Sequence, residues 1–382
     1  MEPQNIPVAG APRAFTPRLL LLIGTIVFIV IILVVVLSLS NTKPAKQASD
    51  PLSQNTPAPT DPFAEVLLKS DEFEACFSGV EIALTTEDYE RVMTDSMACR
   101  RYSLAYSQAL ERIDSSMLTL KQRDELGARR LQPSIMDNLL DAFYHVANGL
   151  KSAEQGDYTA LSDGIEGFVD SLNDALYYIY RTKTEYPDYY YDQTIGSGMT
   201  ETEFLFGLST IYQLRNELAS LSVNNTYFTY FYNVDALDST VVYVTDPLVE
   251  EYFTEDERTL MLLDFVRQNV KYNFDPNWYQ DWPMPPAYTL LSERGDCDDM
   301  SILLISMLKR AGVSNAELCV ADSTAPYDDG YDHMVVGLNA GDGWYILDAT
   351  CSTCEGIAPE DAQYWAIECA GVEDFLLSIY EA

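Results

Sequence analysis

Ser292-Glu293-Arg294-Gly295-Asp296-Cys297-Asp298-Asp299-Met300 is a polar, glycine-bearing turn that runs straight into an apolar helical segment, Ser301 to Arg310. Ile302, Leu303, Leu304, Ile305, Met307 and Leu308 make that segment apolar nearly all round, which predicts a helix buried centrally against a sheet. Cys297 stands where the helix opens. Backbone N–H groups and the positive end of the helix dipole then point at its sulfur and favour the thiolate, the nucleophilic form. Asp298 and Asp299 fall in the first turn, where carboxylates suit free N–H groups, and read as structural caps. Arg294 reads as a loop anchor.

Beyond Gly312 three runs read as strands, Glu317–Asp322, Asp332–Asn339 and Trp344–Thr350, so that a helix followed by an antiparallel sheet gives an α+β domain. The chain has only two histidines, and one, His333, lies in the second run. Asp348 lies in the third. A two-residue turn at Ala340-Gly341 would pair His333 directly with Asp348 on one face of the sheet. The carboxylate would then fix the imidazole tautomer and leave the other ring nitrogen to a thiol. Met334, Val336 and Leu338 alternate with His333 and take the opposite, core-facing side. Taken singly, Cys297 reads as a buried thiol, His333 as a satisfied histidine and Asp348 as a turn residue. Together, in matching register, they read as a nucleophile, a base and its orienter.

Upstream, Phe63 to about Leu221 is helical in pattern. A helix over Thr86–Leu120 with Thr85 or Thr86 as N-cap places Tyr89, Val92, Met93, Ser96 and Met97 at helical spacing. Pro133 suits a first turn, after which Ile135, Leu139, Leu140, Phe143, Val146 and Leu150 form one face. Gly156-Asp157-Tyr158 breaks that helix, and a second follows from Thr159 to Thr182, making an antiparallel hairpin. His145 belongs to the packing of this region, and another helix is expected over 201–221. Tyr186 to Tyr191 reads as an aromatic loop packed over a helix end. Tyr227–Val234 and Thr240–Thr245, rich in β-branched and aromatic residues, read as strands. Thr254-Glu255-Asp256-Glu257 is a capping box that opens a helix through Val270, and Asp275–Thr289 is a Pro/Trp loop.

The first residues are of a different kind. Leu19 to Leu37 is apolar and uncharged, and nineteen residues at helical rise span about 28 Å, close to a hydrocarbon core. We read residues 1–18 as a cytoplasmic tail, 19–39 as a transmembrane helix in the lipid bilayer, and 40–62, with Pro44, Pro51, Pro57 and Pro59, as a flexible linker. The helical domain then covers 63–225 and the α+β domain 226–382. Arg13 and Arg18 precede the span and Lys43 and Lys46 follow it, so local charge is a tie. The short tail and the large acidic remainder favour a single-pass protein of the cell membrane with its bulk outside, in agreement with the glycosylation triplet Asn224-Asn225-Thr226. A net charge of −36 excludes nucleic-acid binding, which needs Lys and Arg clusters. With Cys297 set aside, six of the seven cysteines remain, an even number that permits disulfides outside the cell. Cys76 with Cys99 is one expected pair; Cys351-Ser352-Thr353-Cys354 reads as a tight disulfide rather than half a zinc site, and Cys319 stays open between a disulfide and a buried thiol.

The residues quoted so far resemble the transglutaminase-like superfamily, whose core is shared with papain-like thiol enzymes. The matching pieces are Tyr272-Asn273-Phe274-Asp275, Asp281-Trp282-Pro283, Arg294-Gly295-Asp296-Cys297-Asp298-Asp299, Ala311-Gly312-Val313, Asp332-His333 and Leu347-Asp348-Ala349-Thr350, within residues 240–370. Met334-Val335-Val336-Gly337 replaces the aromatic and acidic residues common after the family's histidine, and Ala349 stands where proline is common. The resemblance implies a membrane-anchored, prokaryotic-type member. In it Cys297 attacks a protein or peptide amide, His333 acts as base and then acid, and Asp348 orients the ring. The resulting thioester is resolved by water, as in an amidase or protease, or by an amine, as in a cross-linking transamidase. A non-catalytic envelope-binding module is the third reading. The expected substrate is an extracellular protein or cell-envelope peptide. No twelve-residue calcium loop is present, and neither cofactor nor metal is expected.

Overall fold

The computed structural model describes residues 61–196, 234–250, 254–274, 283–322, 333–339, 344–351 and 366–369, with a few helical positions between 201 and 212. The apolar run Leu19–Leu37 and most of the linker lie outside them, as do Tyr227–Asn233, Trp278 and Trp282. Among the described residues no helix is long and apolar enough to cross a membrane.

Among the described residues the N-terminal part has the α-helices α1 (Ala64–Thr85), α2 (Tyr89–Glu111), α3 (Leu120–Arg129), α4 (Gln132–Glu154), α5 (Tyr158–Glu185) and α6 (Pro187–Gly196). Thr85 and Thr86 do not open α2. Their hydroxyls donate to the Ile82 carbonyl and close α1, while the Asp88 carboxylate accepts from Arg91 N–H and caps α2. Met97 of α2 faces solvent. The Cys76–Cys99 disulfide ties α1 to α2. Pro133 sits in the first turn of α4, and Gly156, at φ +85°, ends it. Asp157 then caps α5, giving the expected hairpin. Gly164 lets α5 press onto α4: a Cβ there would lie 2.7 Å from the Gly149 Cα. The aromatic segment expected as a loop is instead helix α6, with Pro187 as its first residue, a place where proline's missing N–H costs nothing. Two of its tyrosines pack inward, Tyr190 being buried and the Tyr189 hydroxyl accepting from Gln132 Nε2 at 2.9 Å, while Tyr191 is exposed.

The C-terminal part runs α7 (Ser239–Val249), α8 (Glu255–Asn269), β1 (Lys271–Tyr272), α9 (Pro286–Ser292), β2 (Arg294–Gly295), α10 (Cys297–Arg310), β3 (Ala316–Asp322), β4 (His333–Asn339), β5 (Trp344–Leu347) and β6 (Ala366–Glu368). This is a small α+β core. The antiparallel sheet has the order β5-β4-β3-β6, and β1 pairs with β2 in parallel. Thr240–Thr245 is helical, against the strand reading. Asp238 Oδ1 accepts from Thr240 and Val241 N–H at 2.8 and 3.1 Å, and the buried residues Thr240, Val241, Val244 and Thr245 recur at helical spacing. A good cap and a packed face outweigh β-propensity, which mainly reports fit to a half-buried pleat. Residues Pro286–Ser292 likewise form a helix where a continuous loop was expected. The Thr254–Glu257 capping box forms as expected.

Helix α10 lies on one face of the sheet, where Ile302, Leu303, Leu304 and Leu308 pack with Leu318, Val336 and Leu347. Each such side chain withdrawn from water contributes roughly 1.5–3 kcal/mol. The opposite face carries Cys319, Val335, Ile346 and Cys369, and Cys319 is closed in a disulfide with Cys369. Cys351 is also disulfide-bonded; Cys354, its expected partner, lies outside the described residues. The two parts of the molecule share a core. Met284, Ala287 and Leu291, in and just before α9, are buried with Phe143, Leu172 and Leu176 of the helical part.

The candidate active site

The turn before Cys297 is built by backbone pairing. Lys271 N–H donates to the Glu293 carbonyl at 2.8 Å and Asn273 N–H to the Gly295 carbonyl at 2.9 Å, which aligns Tyr272 with Gly295. Glu293 closes α9 in the left-handed region at φ +55°. Gly295 must be glycine, since a Cβ would come within 2.6 Å of the Asp299 Cβ. Asp296 is the N-cap of α10, and Cys297 is its first residue, partly exposed and outside any disulfide. Asp299 is buried in the first turn and accepts from Met284 N–H at 2.8 Å. It therefore holds the 283–285 segment to the helix start.

His333 is the first residue of β4 and Asp348 follows the last residue of β5. Their side chains meet: His333 Nε2 lies 3.3 Å from Asp348 Oδ2. The hairpin register differs from the expected one by two residues. Asn339 pairs with Trp344 and Val336 with Leu347, so residues 340–343 connect the strands in place of a two-residue turn. The primed turns want positive φ or glycine at the first central position, and Ala340 supplies neither. Because the side-chain period is also two, the shift leaves His333 and Asp348 on one face, with Val335 and Ile346, as diagonal rather than direct neighbours. The residue that the register brings opposite His333 is Thr350. Its N–H and hydroxyl both donate to Asp348 Oδ1, at 2.8 and 2.7 Å, and its hydroxyl oxygen lies 3.5 Å from His333 Nε2. Arg267 of α8 donates twice to the Asp348 carbonyl, at 2.8 and 3.2 Å. Asp348 is thus fixed through both its side chain and its backbone.

The His333 and Asp348 side chains lie on the sheet face away from α10, and two observations relate the start of that helix to the strand end that carries them. Ser301, one helical turn after Cys297 and on the same helix face, donates to the carbonyl of Met334, the residue after His333, at 3.0 Å. The second is Tyr272. Tyr272 is 44% exposed, and its partial burial, then the charges of Cys297, Asp296, Asp298 and Asp348, raise that phenol above its ordinary range. One hydroxyl therefore feels the thiol and the histidine's carboxylate together, and it stays protonated. Beside it Phe274 is 74% exposed and meets the Tyr272 ring edge-on at 5.1 Å.

The polar atoms of Asp296, Cys297 and Asp298 lie within 4.8 Å of one another. They make an O,S,O set too small for a closed four-ligand metal site. Their effect on the sulfur opposes that of the helix terminus, because a thiolate there sits among like charges. A cationic imidazole is what would tip the balance toward the thiolate. Reading the dipole alone missed this. Also missed were Tyr272 as a site residue, Thr350 and Arg267. Thr350 had a signal, since a Thr two residues after an Asp commonly closes on its carboxylate. Arg267 had none, being 81 positions from the backbone it binds.

A helix opens on a cysteine and lies on an antiparallel sheet whose strand ends carry a His–Asp pair. The model of the transglutaminase-like superfamily matches residues 243–349, and this segment is a transglutaminase-like domain. No curated protein and no solved structure matches the chain.

Proposed function

We propose that this domain is a cysteine-dependent acyl-transfer enzyme acting on protein or peptide amides. The observation that carries the reading is the His333–Asp348 contact, locked by Thr350, in the neighbourhood of a cysteine at a helix N-terminus. With Nε2–H donating to Asp348, the Nδ1 lone pair of His333 is left to take the Cys297 proton. The thiolate attacks the amide carbonyl, and the Cys297 N–H, at the first position of its helix, donates to the oxyanion. The imidazolium then protonates the departing amine, and a thioester remains. Water, deprotonated by the same imidazole, adds to the thioester and releases the acid and the free thiol. Hydrolysis is favoured over transamidation because Cys297 is a partly exposed residue, where water is the abundant acceptor.

We further propose that the chain is anchored through residues 19–39 with this domain outside the cell, acting on extracellular protein or cell-envelope peptide. Three observations support an oxidising exterior: the Cys76–Cys99 bridge, the Cys319–Cys369 bridge and the disulfide at Cys351. The test of the chemistry is iodoacetamide labelling of Cys297 from pH 5 to 10 in the unaltered protein and in His333→Ala. A thiolate present near neutrality and lost in the variant is the expected result. Ordinary thiol behaviour in both proteins leaves a binding module instead. Ammonia release coupled to incorporation of an added amine would assign transamidation.

A further inference from the structure

We infer that Lys183 of the helical part is a positioning residue for the cysteine loop, so that helix α5 belongs to the catalytic unit. The inference rests on the proposed thiol chemistry. Lys183 is 8% exposed, and its ammonium makes three contacts: to the Leu291 carbonyl at 2.8 Å, to Glu293 Oε1 at 3.0 Å and to Glu201 Oε1 at 3.2 Å. Leu291 and Glu293 are the end of α9 and its left-handed closing residue. The Glu293 carbonyl receives the Lys271 N–H that starts the β1–β2 pairing, and Cys297 follows four residues later.

One cation thus grips both a carbonyl in the last turn of α9 and the side chain of the turn that launches the cysteine. Burial works against its charge, but the carboxylates of Glu293 and Glu201 outweigh that and keep it protonated. The helix that carries it packs closely on α4, where Gly164 meets Gly149. Tyr180, one turn earlier on α5, packs against the core of the C-terminal part, and α9 is buried in the core of the helical part. A left-handed non-glycine residue is held by its surroundings, and here the surroundings are supplied from 110 residues upstream. Without the clamp, the turn relaxes and the first N–H groups of α10 no longer converge on the sulfur.

The experiment measures the rate of Cys297 carbamidomethylation against pH on the full chain, by mass spectrometry of its peptide, together with thermal unfolding. Lys183→Met is expected to slow labelling about tenfold at pH 6.5 and by less than about twofold at pH 9.5, as a rise of one pH unit in the thiol's titration requires. Glu293→Gln keeps an oxygen acceptor on an exposed side chain, and is expected to shift the profile in the same direction, by about threefold at pH 6.5. The double variant is expected to fall short of the product of the single effects, as coupled residues do. A lowered melting temperature with an unchanged pH profile would mean a merely structural lysine and overturn the inference, as would independent, multiplying effects. Should Lys183→Met fail to fold, Glu293→Ala decides alone, and an unshifted profile in it refutes the clamp. The unaltered protein separates the two levels: a thiolate near neutrality that neither variant disturbs sinks only the clamp, whereas an ordinary thiol in the unaltered protein sinks both.

Discussion

Asp348→Asn is the sharpest single perturbation of this site, because the structure dictates which way the new amide must face. Thr350 donates twice to Asp348 Oδ1, so the amide oxygen of an asparagine is bound to take that position. The NH2 group then falls where Oδ2 was, 3.3 Å from His333 Nε2. A donor there needs a bare Nε2, which moves the imidazole proton to Nδ1 and removes the base that faces the thiol. It also disfavours the imidazolium, which carries a proton on both nitrogens. The thiol should revert to an ordinary pKa near 8.5, leaving about 3% thiolate at pH 7. For a thiol that titrates about one pH unit lower in the unaltered protein, alkylation at pH 7 would therefore drop roughly eightfold, with almost no drop at pH 9.5. Amide turnover, which needs the base as well as the thiolate, would fall by roughly 10⁴, about 5.5 kcal/mol of transition-state stabilisation. The fold should be untouched, since Arg267 binds the main-chain carbonyl and not the side chain. The assay is paired iodoacetamide labelling at pH 7 and 9.5, with thermal unfolding as the control. Labelling at pH 7 within about twofold of the unaltered protein, on an intact fold, would refute the tautomer argument.

Three further outcomes are expected. Burial pushes the Asp238 carboxyl up to about 6, so the native state keeps a proton that the unfolded chain releases near pH 4. Stability contributed at this site is full below about pH 4 and falls as pH rises to about 6, by about 3 kcal/mol in all. Asp238→Asn, which keeps the oxygen that caps α7, should be more stable than the unaltered protein at pH 7.5 and equal to it at pH 4 in urea titrations. Reversal of that order at pH 7.5 would contradict it. Chain-entropy arguments assign about 3.4 kcal/mol to the Cys76–Cys99 bridge and about 4.1 kcal/mol to Cys319–Cys369, from separations of 23 and 50 residues. The paired Ser variants should therefore lose stability in that order in calorimetry; the opposite order would show that loop length does not govern these two bridges. Tyr272→Phe removes a hydroxyl that the charges of Cys297 and Asp348 act on while keeping the ring against Phe274. Relieved of one polar neighbour, Cys297 should change its labelling rate at pH 7 by about threefold or more, while the melting temperature stays within about 2 °C. An unchanged labelling rate would place the hydroxyl outside the site.

What could be read from the sequence was whatever is coded locally. Cys297 at the mouth of an apolar helix, the hairpin around Gly156, the Thr254–Glu257 capping box and the strands bearing His333 and Asp348 all rest on spacing within a few residues. So does the conclusion that His333 and Asp348 share a face, which survived a wrong turn length because both periods equal two. Thr240–Thr245 went the other way. Its β-branched residues favour a strand in isolation, and only the cap at Asp238 together with burial against α8 and α10 made it a helix. Long-range partners were decided by the fold alone. Arg267 on the Asp348 backbone, Tyr272 among four anionic groups and Lys183 under the cysteine turn are contacts across many positions, and no local pattern announces a partner that the chain reaches only after it has packed. The physical reason is one of range: periodicity and capping act over one or two turns, whereas a buried charge or a convergent hydroxyl is stable only once distant segments have excluded water around it.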